Sequence, residues 1–343
     1  MQIKNSTINT VLSIFVAGAF ATLVTFPSHA SPTVNSESAE LAKDIPIADL
    51  HLHARTKLKP SMAQKRMDRN GVRWAGAGST SKAALAAAKG NTGSKTQGGE
   101  SSLWRSYSKA LGDRYIAFAG QSELIHAYAE GGVDAIEDPD NPRFQKLLVE
   151  AEDDLKAGRA KGIGELFINN KRSSKIRKFR RKSRADAPTV KQLFNLVAKY
   201  NAFLTIHMDS DSDSLKQLEI LLNSNPNGRI LWNHCGIFIK AKDLRPILQS
   251  HPNLYCEFAY RYPPVNGPKR KKVNIFNKKA PKQEWISLIE DFPDRFMVGT
   301  DARDDKTYDA SIQNVRQGLF PYLKPETLRK VAHGNAQRLF GLK

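Results

Sequence analysis

The chain has 343 residues, 40% of them hydrophobic, so it can bury a sizeable core and form a barrel domain of about 250 residues or more. Its 53 lysines and arginines against 34 acidic residues give a formal net charge of +19, which bears on partners and solubility and does not identify a fold. Two cysteines, Cys235 and Cys256, are too few for a disulfide scaffold. They lie on neighbouring predicted strands, so a single disulfide bond between them stays open.

The first 30 residues predict a secretory signal peptide. Lys4 is the only charge before an apolar run over 11–24, Pro27 interrupts that run, and Ser28-His29-Ala30 offers a small-x-small cleavage site. The alternative is an uncleaved anchor, but the run is shorter than the roughly 20 residues of a membrane span and contains Ser and Thr. We therefore expect an exported protein, periplasmic or secreted, with no integral membrane segment after cleavage. Residues 31–44 are polar and predict a linker.

From residue 45 onward, apolar runs alternate with helical patterns, which is typical of parallel βα units. The predicted strands are 46–51, 71–77, 115–120, 161–168, 202–207, 229–234, 253–258 and 295–300. The predicted helices are 61–69, a segment around 104–111, 142–157, 190–200, 214–223, 241–249, 282–291 and 325–340, with a break near Gly334. Eight units, and no GxGxxG loop after any strand, favour a closed (β/α)₈ TIM barrel of the α/β class as a single domain over 45–343. Residues 78–102, rich in Gly, Ser, Ala and Lys, predict a flexible insertion.

Two histidines stand at the end of the first predicted strand, in the sequence Asp49-Leu-His51-Leu-His53. Because side chains alternate along a strand, His51 and His53 point the same way, which in a barrel is inward at the catalytic mouth. Imidazoles are good ligands for zinc and similar ions. The pair alone is a weak signal, since two surface histidines would look the same.

Polar side chains also stand where three later apolar strands end. His207, His234 and Asp301 follow the fifth, sixth and eighth predicted strands. Burying such groups without partners would cost several kcal/mol each, and a shared metal provides a partner.

With these residues, the chain resembles the amidohydrolase superfamily, in the amidohydrolase-related branch that includes aminocarboxymuconate semialdehyde decarboxylase. The resemblance covers about residues 45–343 and is carried by 49–53, 205–207, 233–236, 299–301 and the terminal Gly-Asn-Ala-Gln-Arg-Leu-Phe-Gly of 334–341.

The resemblance implies a divalent metal, zinc in the first instance, bound by His51, His53, His207 and Asp301. Such a metal lowers the pKa of bound water toward about 7. Asp301 would accept the water proton, and His234 would polarise the substrate carbonyl or protonate the leaving group. Hydrolysis of a small ester, lactone or amide would follow, and decarboxylation on the same site stays open.

Glu165, in Gly-Ile-Gly-Glu-Leu of the fourth predicted strand, is a departure from the one-metal pattern of many members of this branch. Superfamily members with two metals place a bridging group on a comparable strand. If Glu165 points inward it could bridge two ions, with His234 as a ligand of the second. Alternatively it pairs with a base or orients a ligand histidine.

Basic segments follow three of the predicted strands. Residues 171–184 contain nine Lys and Arg and no acid, residues 269–279 contain six and no acid, and residues 55–73 contain seven against Asp68. Loops that follow barrel strands emerge at the catalytic face, so these segments predict a positive funnel for an anionic substrate, with Arg177, Arg180 and Arg181 as substrate-binding residues. The alternative is a solvated surface or an attachment to an anionic envelope.

Three functions remain after these steps. The first is a hydrolase, or less readily a decarboxylase, of a small carbonyl compound. The second is a two-metal phosphoesterase or nuclease, which Glu165 and the basic segments favour. The third is a non-catalytic polyanion-binding protein, which the complete set of ligand residues argues against. The partner expected is a small-molecule substrate and not nucleic acid, and a homo-oligomer is compatible with the sequence.

Overall fold

Parallel strands follow one another in the order that the sequence predicts. The computed structural model describes residues 32–54, 58–79, 101–120, 137–169, 183–262, 275–277, 280–302 and 304–343. Its strands are β1 (Ile47–Ala54), β2 (Val72–Ser79), β3 (Tyr115–Ile116), β4 (Ala119–Gly120), β5 (Gly162–Phe167), β6 (Phe203–His207), β7 (Arg229–Trp232), β8 (Leu254–Glu257), β9 (Phe276–Asn277), β10 (Ala280–Pro281) and β11 (Phe296–Met297). β9 and β10 form an antiparallel pair, and the other pairings are parallel.

The parallel strands form two runs that share the third predicted strand. One run is β1-β2-β3 and the other is β4-β5-β6-β7-β8-β11, and β3 and β4 are the two ends of the predicted strand 115–120. At the other seam, Asp49 pairs with Val298 in an isolated parallel bridge, and the Leu50 amide donates to the Val298 carbonyl at 2.8 Å. The first and last barrel strands are therefore neighbours, and the α/β TIM-barrel fold is confirmed.

Helices connect these strands. They are α1 (Ser36–Asp44), α2 (Pro60–Arg69), α3 (Ser101–Leu111), α4 (Pro142–Lys156), α5 (Pro188–Lys199), α6 (Ser212–Ser224), α7 (Ala241–Ser250), α8 (Gln283–Asp291), α9 (Asp305–Gln313), α10 (Pro325–Arg329) and α11 (Asn335–Phe340). The break predicted near Gly334 is a π-helical turn, Lys330–Gly334, between α10 and α11. Helix α9 was not predicted, although Asp304 begins it with a capping box to Thr307.

The segment predicted as a linker contains helix α1. Asn35 caps it by accepting a hydrogen bond from the Ser38 amide at 2.9 Å, and the buried Ser38 hydroxyl donates to the Leu323 carbonyl at 2.6 Å. Ala42 and the half-buried Leu41 pack against the core beside Ser38, and because this apolar face is short and the rest of the helix is polar, the sequence pattern did not reveal it. None of the helices in the described ranges is long and apolar enough to span a bilayer.

The barrel interior is filled from the amino-terminal end. Phe203 of β6 packs on Tyr255 of β8, with ring centroids 5.3 Å apart, and on Phe340 of α11 at 4.7 Å. Leu50, Leu231 and Met297 from three other strands belong to the same buried cluster. Because residues from strands around the ring can meet only inside it, the apolar interior lies below the polar strand ends.

Two strands shift register just before their polar residues. In β1 the pairing with β2 is irregular between Asp49 and Leu52, and in β5 the pairing with β6 is irregular between Ile163 and Leu166. Such irregularities re-aim side chains, and they are common beside active sites. Ile163 packs in the large core cluster, whereas Glu165, two residues later, lies in the polar cluster at the strand ends.

Asp49 joins the first strand to the last. Its Oδ1 accepts hydrogen bonds from the backbone amides of His51 at 3.1 Å and Thr300 at 2.9 Å, and its Oδ2 accepts from the Thr300 hydroxyl at 2.7 Å. Burial raises the pKa of this carboxyl to about 6, although its hydrogen bonds to Thr300 and His51 act in the opposite direction. The seam between β1 and β11, which has few backbone bonds, is thus reinforced by a side chain.

Replacing Thr300 with Val should lower the free energy of unfolding by about 1–3 kcal/mol, because a buried carboxylate oxygen loses its hydroxyl donor while the side-chain shape is kept. Urea denaturation of chelator-treated protein measures this change without a contribution from metal binding. The control is Thr327→Val, whose hydroxyl donates to the half-buried Glu290 at 2.8 Å and should matter less, since water can replace it there. Equal losses in the two variants would contradict a special role for the Asp49 seam.

Candidate metal centre

Four histidines and two carboxylates meet at the carboxyl ends of the barrel strands. His51 and His53 are near the end of β1, Glu165 is on β5 and His207 ends β6. His234 lies in the 3₁₀ turn Asn233–Cys235 that follows β7, and Asp301 follows β11. Their side chains are at most 12% exposed. The structure thus brings together all six residues that the sequence proposed for the site.

One half of the cluster contains His51, His53 and Asp301. The Nε2 atoms of the two histidines lie 3.1 Å apart, and His53 Nε2 lies 3.1 Å from Asp301 Oδ1. Both Nε2 atoms are 3.6 Å from Glu165 Oε2. His51 Nε2 is 4.0 Å from Asp301 Oδ1. Four potential ligand atoms from three strands therefore surround one point.

The other half contains His207 and His234. His207 Nδ1 lies 2.9 Å from Glu165 Oε1 and 3.1 Å from His234 Nε2. His234 Nε2 is 3.7 Å from the same Glu165 oxygen. Glu165 therefore presents one oxygen to each half. The sequence left open whether this residue of the fourth barrel strand points into the site, and the structure shows that it does.

The donor set fits divalent metal ions. Two ligands of a tetrahedral zinc ion, each about 2.0–2.2 Å from the metal, stand roughly 3.3 Å apart. The separations in both halves, 2.9 to 4.0 Å, scatter around that value. The groups His51–His53–Glu165 and Glu165–His207–His234 each place their ligand atoms within 4.8 Å of one another. Imidazole nitrogens that face each other in a buried site need a proton or a cation between them.

The charges of the site favour a cation. Burial on its own raises the pKa of Glu165 and of Asp301, but the charge of His51 and hydrogen bonds from histidines outweigh it, so the pKa of each carboxyl lies below its ordinary value. Burial lowers the pKa of His51, and the carboxylates of Glu257, Glu165 and Asp301 outweigh it, so that pKa is raised. Burial lowers the pKa of His234. Carboxylates that stay ionised at neutral pH are suited to holding a metal.

The backbone at His234 is left-handed. His234 has φ 59°, Cys235 has φ 46° and Gly236 has φ 62°. A Cβ at Gly236 would overlap the ring of Trp232, so the turn needs glycine there both for its φ and for space. The conformation is unfavourable for the two non-glycine residues, and such backbone is concentrated at functional sites. The turn directs His234 Nε2 toward His207 while its Nδ1 lies 3.1 Å from the Ala259 carbonyl.

Glu257 belongs to the site although the sequence left its direction open. It ends β8, is buried, and accepts a hydrogen bond from His51 Nδ1 at 2.8 Å. The sequence does show an acidic residue at the end of an apolar strand, as for Asp301. Without the register of β8, however, it does not show whether the Glu257 side chain points into the barrel. The two cysteines, Cys235 and Cys256, are buried free thiols. The predicted substrate-binding residues Arg177, Arg180 and Arg181 lie outside the described residues.

Access to the cluster is uneven. The side chains of His207 and Asp301 are 12% and 11% exposed, whereas those of His51 and His234 are 0% and 1% exposed. Phe167 packs against the His207 ring at 4.9 Å, and Tyr260 contacts the His234 ring edge-on at 5.2 Å. Within the cluster, His207 and Asp301 are therefore the residues most open to solvent.

The comparisons with known proteins agree with this architecture. The family model described as amidohydrolase matches residues 49–342. No functionally curated protein matches the sequence. Among solved structures, an uncharacterised TIM-barrel protein from Bordetella bronchiseptica superposes with a TM-score of 0.52 at 12% identity, covering 87% of this chain and 99% of the other.

Two enzymes with solved structures are similar in the same way. A dihydroxybenzoic acid decarboxylase from Polaromonas sp. JS666, with bound manganese and the inhibitor 2-nitroresorcinol, has a TM-score of 0.52 at 14% identity over 87% of this chain and 97% of its own. The 4-oxalomesaconate hydratase of Rhodopseudomonas palustris has a TM-score of 0.51 at 14% identity over 86% and 95%. At such identities the similarity shows the fold alone.

Replacing Gly299 with Ala should destabilise the centre, because the new Cβ would overlap the Glu257 carboxylate and lie 3.1 Å from the His51 Cβ. We expect about 1–3 kcal/mol of lost stability together with weaker metal binding. Gly334→Ala is the matched control, since Gly334 has helical backbone at φ −58° and its nearest neighbour, the Arg329 carbonyl oxygen, is 3.2 Å from the added carbon. Wild-type stability and metal affinity in Gly299→Ala would show that Glu257 is not held against this glycine.

Proposed function

The chain belongs to the amidohydrolase family, and we propose that it is an exported, metal-dependent hydrolase of a small carbonyl compound, an ester, lactone or amide. The observation that carries this proposal is the position of Glu165 between two groups of histidines. Export is proposed from the signal-like sequence of residues 1–30. The reaction is proposed on the chemistry of the site and on family membership.

We propose a centre for two divalent ions, with zinc as the expected metal. His51 Nε2, His53 Nε2 and Asp301 Oδ1 would hold the first, His207 Nδ1 and His234 Nε2 the second, and Glu165 would bridge them. This differs from the set read from the sequence, which placed His207 with His51, His53 and Asp301. The contacts of His207 Nδ1 with Glu165 and His234 support the new grouping.

A divalent metal held by these residues would supply an acidified water and polarisation of the substrate carbonyl. Asp301 is ionised and partly exposed, so its carboxylate can accept a proton from the attacking water. His234 is 1% exposed and its Nδ1 faces the Ala259 carbonyl, so its neutral tautomer leaves Nε2 as an acceptor inside the cluster. We therefore assign His234 to metal binding and not to direct contact with the substrate, which revises its expected role.

The ligand assignment is tested by metal content. Wild-type protein should bind about two ions per chain. His51→Ala and Asp301→Ala should each lose the first ion together with activity, and His234→Ala should lose the second ion. His251→Ala is the control, because His251 lies at the end of α7 and pairs with Glu219 at 3.9 Å, on an outer helix.

Two outcomes would change the assignment. If His234→Ala keeps all of the metal and loses most turnover, a one-metal site with His234 acting on the substrate is correct. If His51→Ala and Asp301→Ala both keep the wild-type stoichiometry, the centre is not where we place it.

A two-metal phosphoesterase is the second candidate, because a carboxylate shared by two metal groups also suits phosphodiester cleavage. Aryl esters, lactones and bis-aryl phosphates, assayed side by side with the metal-loaded protein, separate the two. Turnover of the carbonyl substrates with none of the phosphates supports the hydrolase, and the reverse result contradicts it.

We also propose that the substrate is anionic, on the strength of the basic segments in the sequence. The apparent second-order rate on an anionic ester should then fall between about 0.1 M and 1 M salt, as the Debye length shrinks from about 10 Å to about 3 Å, while the rate on a neutral analogue changes little. Neutralising Arg177, Arg180 and Arg181 together should lower that rate and flatten its salt dependence without changing turnover at saturation. The same salt response for both esters would refute electrostatic capture.

A further inference from the structure

We propose that Glu257 is a positioning residue that fixes the tautomer and the direction of His51 toward the metal and at the same time holds the turn that carries His234. This inference rests on the metal binding proposed above. It assigns a role to a residue that contributes no atom to either half of the proposed centre.

The carboxylate of Glu257 is bonded on both oxygens. Oε1 lies 2.8 Å from His51 Nδ1 and 2.6 Å from the backbone amide of His234. Oε2 lies 2.5 Å from the backbone amide of Ala259. The side chain is fully buried, so water does not compete for these positions. One carboxylate thus joins β1, the turn after β7 and the end of its own strand β8.

These bonds determine which nitrogen of His51 carries hydrogen. Both oxygens of Glu257 already accept a backbone N–H, Oε1 from His234 and Oε2 from Ala259, so the group acts as an acceptor toward His51 as well. A carboxylate acceptor at this position is bonded by the Nδ1–H of His51, and when a metal is bound the single ring proton therefore stays on Nδ1. The lone pair of Nε2 then faces His53 and Glu165. A carboxylate that fixes a ligand histidine in this way typically changes metal affinity 10–100-fold.

Glu257 Oε1 also stabilises the left-handed backbone at His234. His234 has φ 59°, and its amide, buried at the start of the left-handed turn, donates to Glu257. Gly299 on the opposite side leaves room for the carboxylate, since any Cβ there would overlap it. Glutamine cannot replace this arrangement. If the NH₂ group of the glutamine faces His51 and His234, it meets the N–H donor of His234. If the side chain is turned over, the NH₂ group meets the N–H donor of Ala259.

The experiment compares Glu257→Gln and Glu257→Asp with wild type in the full metal-binding chain. The readouts are the zinc affinity from chelator competition, the number of ions bound, and the visible absorption spectrum of the cobalt-loaded protein. The control is Asp154→Asn, which also removes a buried carboxylate, here one that pairs with Arg105 at 3.1 Å and Arg159 at 2.7 Å on helix α4. Thermal unfolding of each metal-free variant gives the stability change that is unrelated to metal.

We expect Glu257→Gln to bind zinc 10–100-fold more weakly and to show an altered cobalt spectrum. This corresponds to about 1.4–2.8 kcal/mol of binding free energy. Glu257→Asp should lie between Glu257→Gln and wild type, because it keeps the charge and shortens the reach. Asp154→Asn should lose stability and keep wild-type affinity and spectrum. If Glu257→Gln does not fold, the intermediate affinity and spectrum of Glu257→Asp provide the same test.

The outcomes separate this inference from the proposed function. If wild-type protein binds no divalent metal, the proposed function fails first. If wild type binds metal, and both Glu257 variants match its affinity and spectrum while losing only thermal stability, Glu257 is a structural residue and the positioning role is wrong. A parallel loss of affinity in Asp154→Asn would also overturn it, since the effect would then follow from destabilisation.

Discussion

Burying several ionisable side chains at one end of a barrel costs free energy unless they neutralise one another or share a cation. In this protein one carboxylate, Glu165, contacts both groups of histidines in the cluster. Glu165 places one oxygen beside His51 and His53 and the other beside His207 and His234. The surrounding strands bring these donors to Glu165 and keep the apolar interior below them closed.

The barrel brings these donors together although few backbone contacts join β1 and β11, its first and last strands. Between β1 and β11 the described pairing is a single bridge, and the Asp49 side chain adds two hydrogen bonds to Thr300 across it and a third to the His51 amide of its own strand. Because Asp49 binds the amides of His51 and Thr300, the group that joins the two strands also sets the backbone next to two proposed ligands. Stability of the seam and placement of the ligands therefore depend on the same buried carboxyl.

Much of this architecture was predictable from the sequence, because strand ends in a barrel meet on one face. The alternation of βα units gave the fold class, and the polar residues at strand ends identified His51, His53, His207, His234 and Asp301 as neighbours. Their grouping was not predictable. The direction of Glu165 depends on a register shift within β5, and strict alternation from Ile163, which packs in the large core cluster, would have turned it away from the other ligands. Helix α1 was missed because its buried face is short, with the Ser38 hydroxyl, Ala42 and the half-buried Leu41 on an otherwise polar helix.

The same reasoning explains why Glu257 could not be assigned before the structure. A sequence shows that an acidic residue ends an apolar strand, but not whether it acts as a ligand or holds one. Distance to the other donors decides this. Glu257 Oε1 contacts the far nitrogen of His51, Nδ1, and the backbone of His234, while the Nε2 atoms of both histidines face the centre. The three carboxylates at this end of the barrel thus have different roles. Glu165 and Asp301 face the converging nitrogens, and Glu257 lies behind them, where its charge keeps a histidine in the one tautomer that leaves a lone pair for a metal.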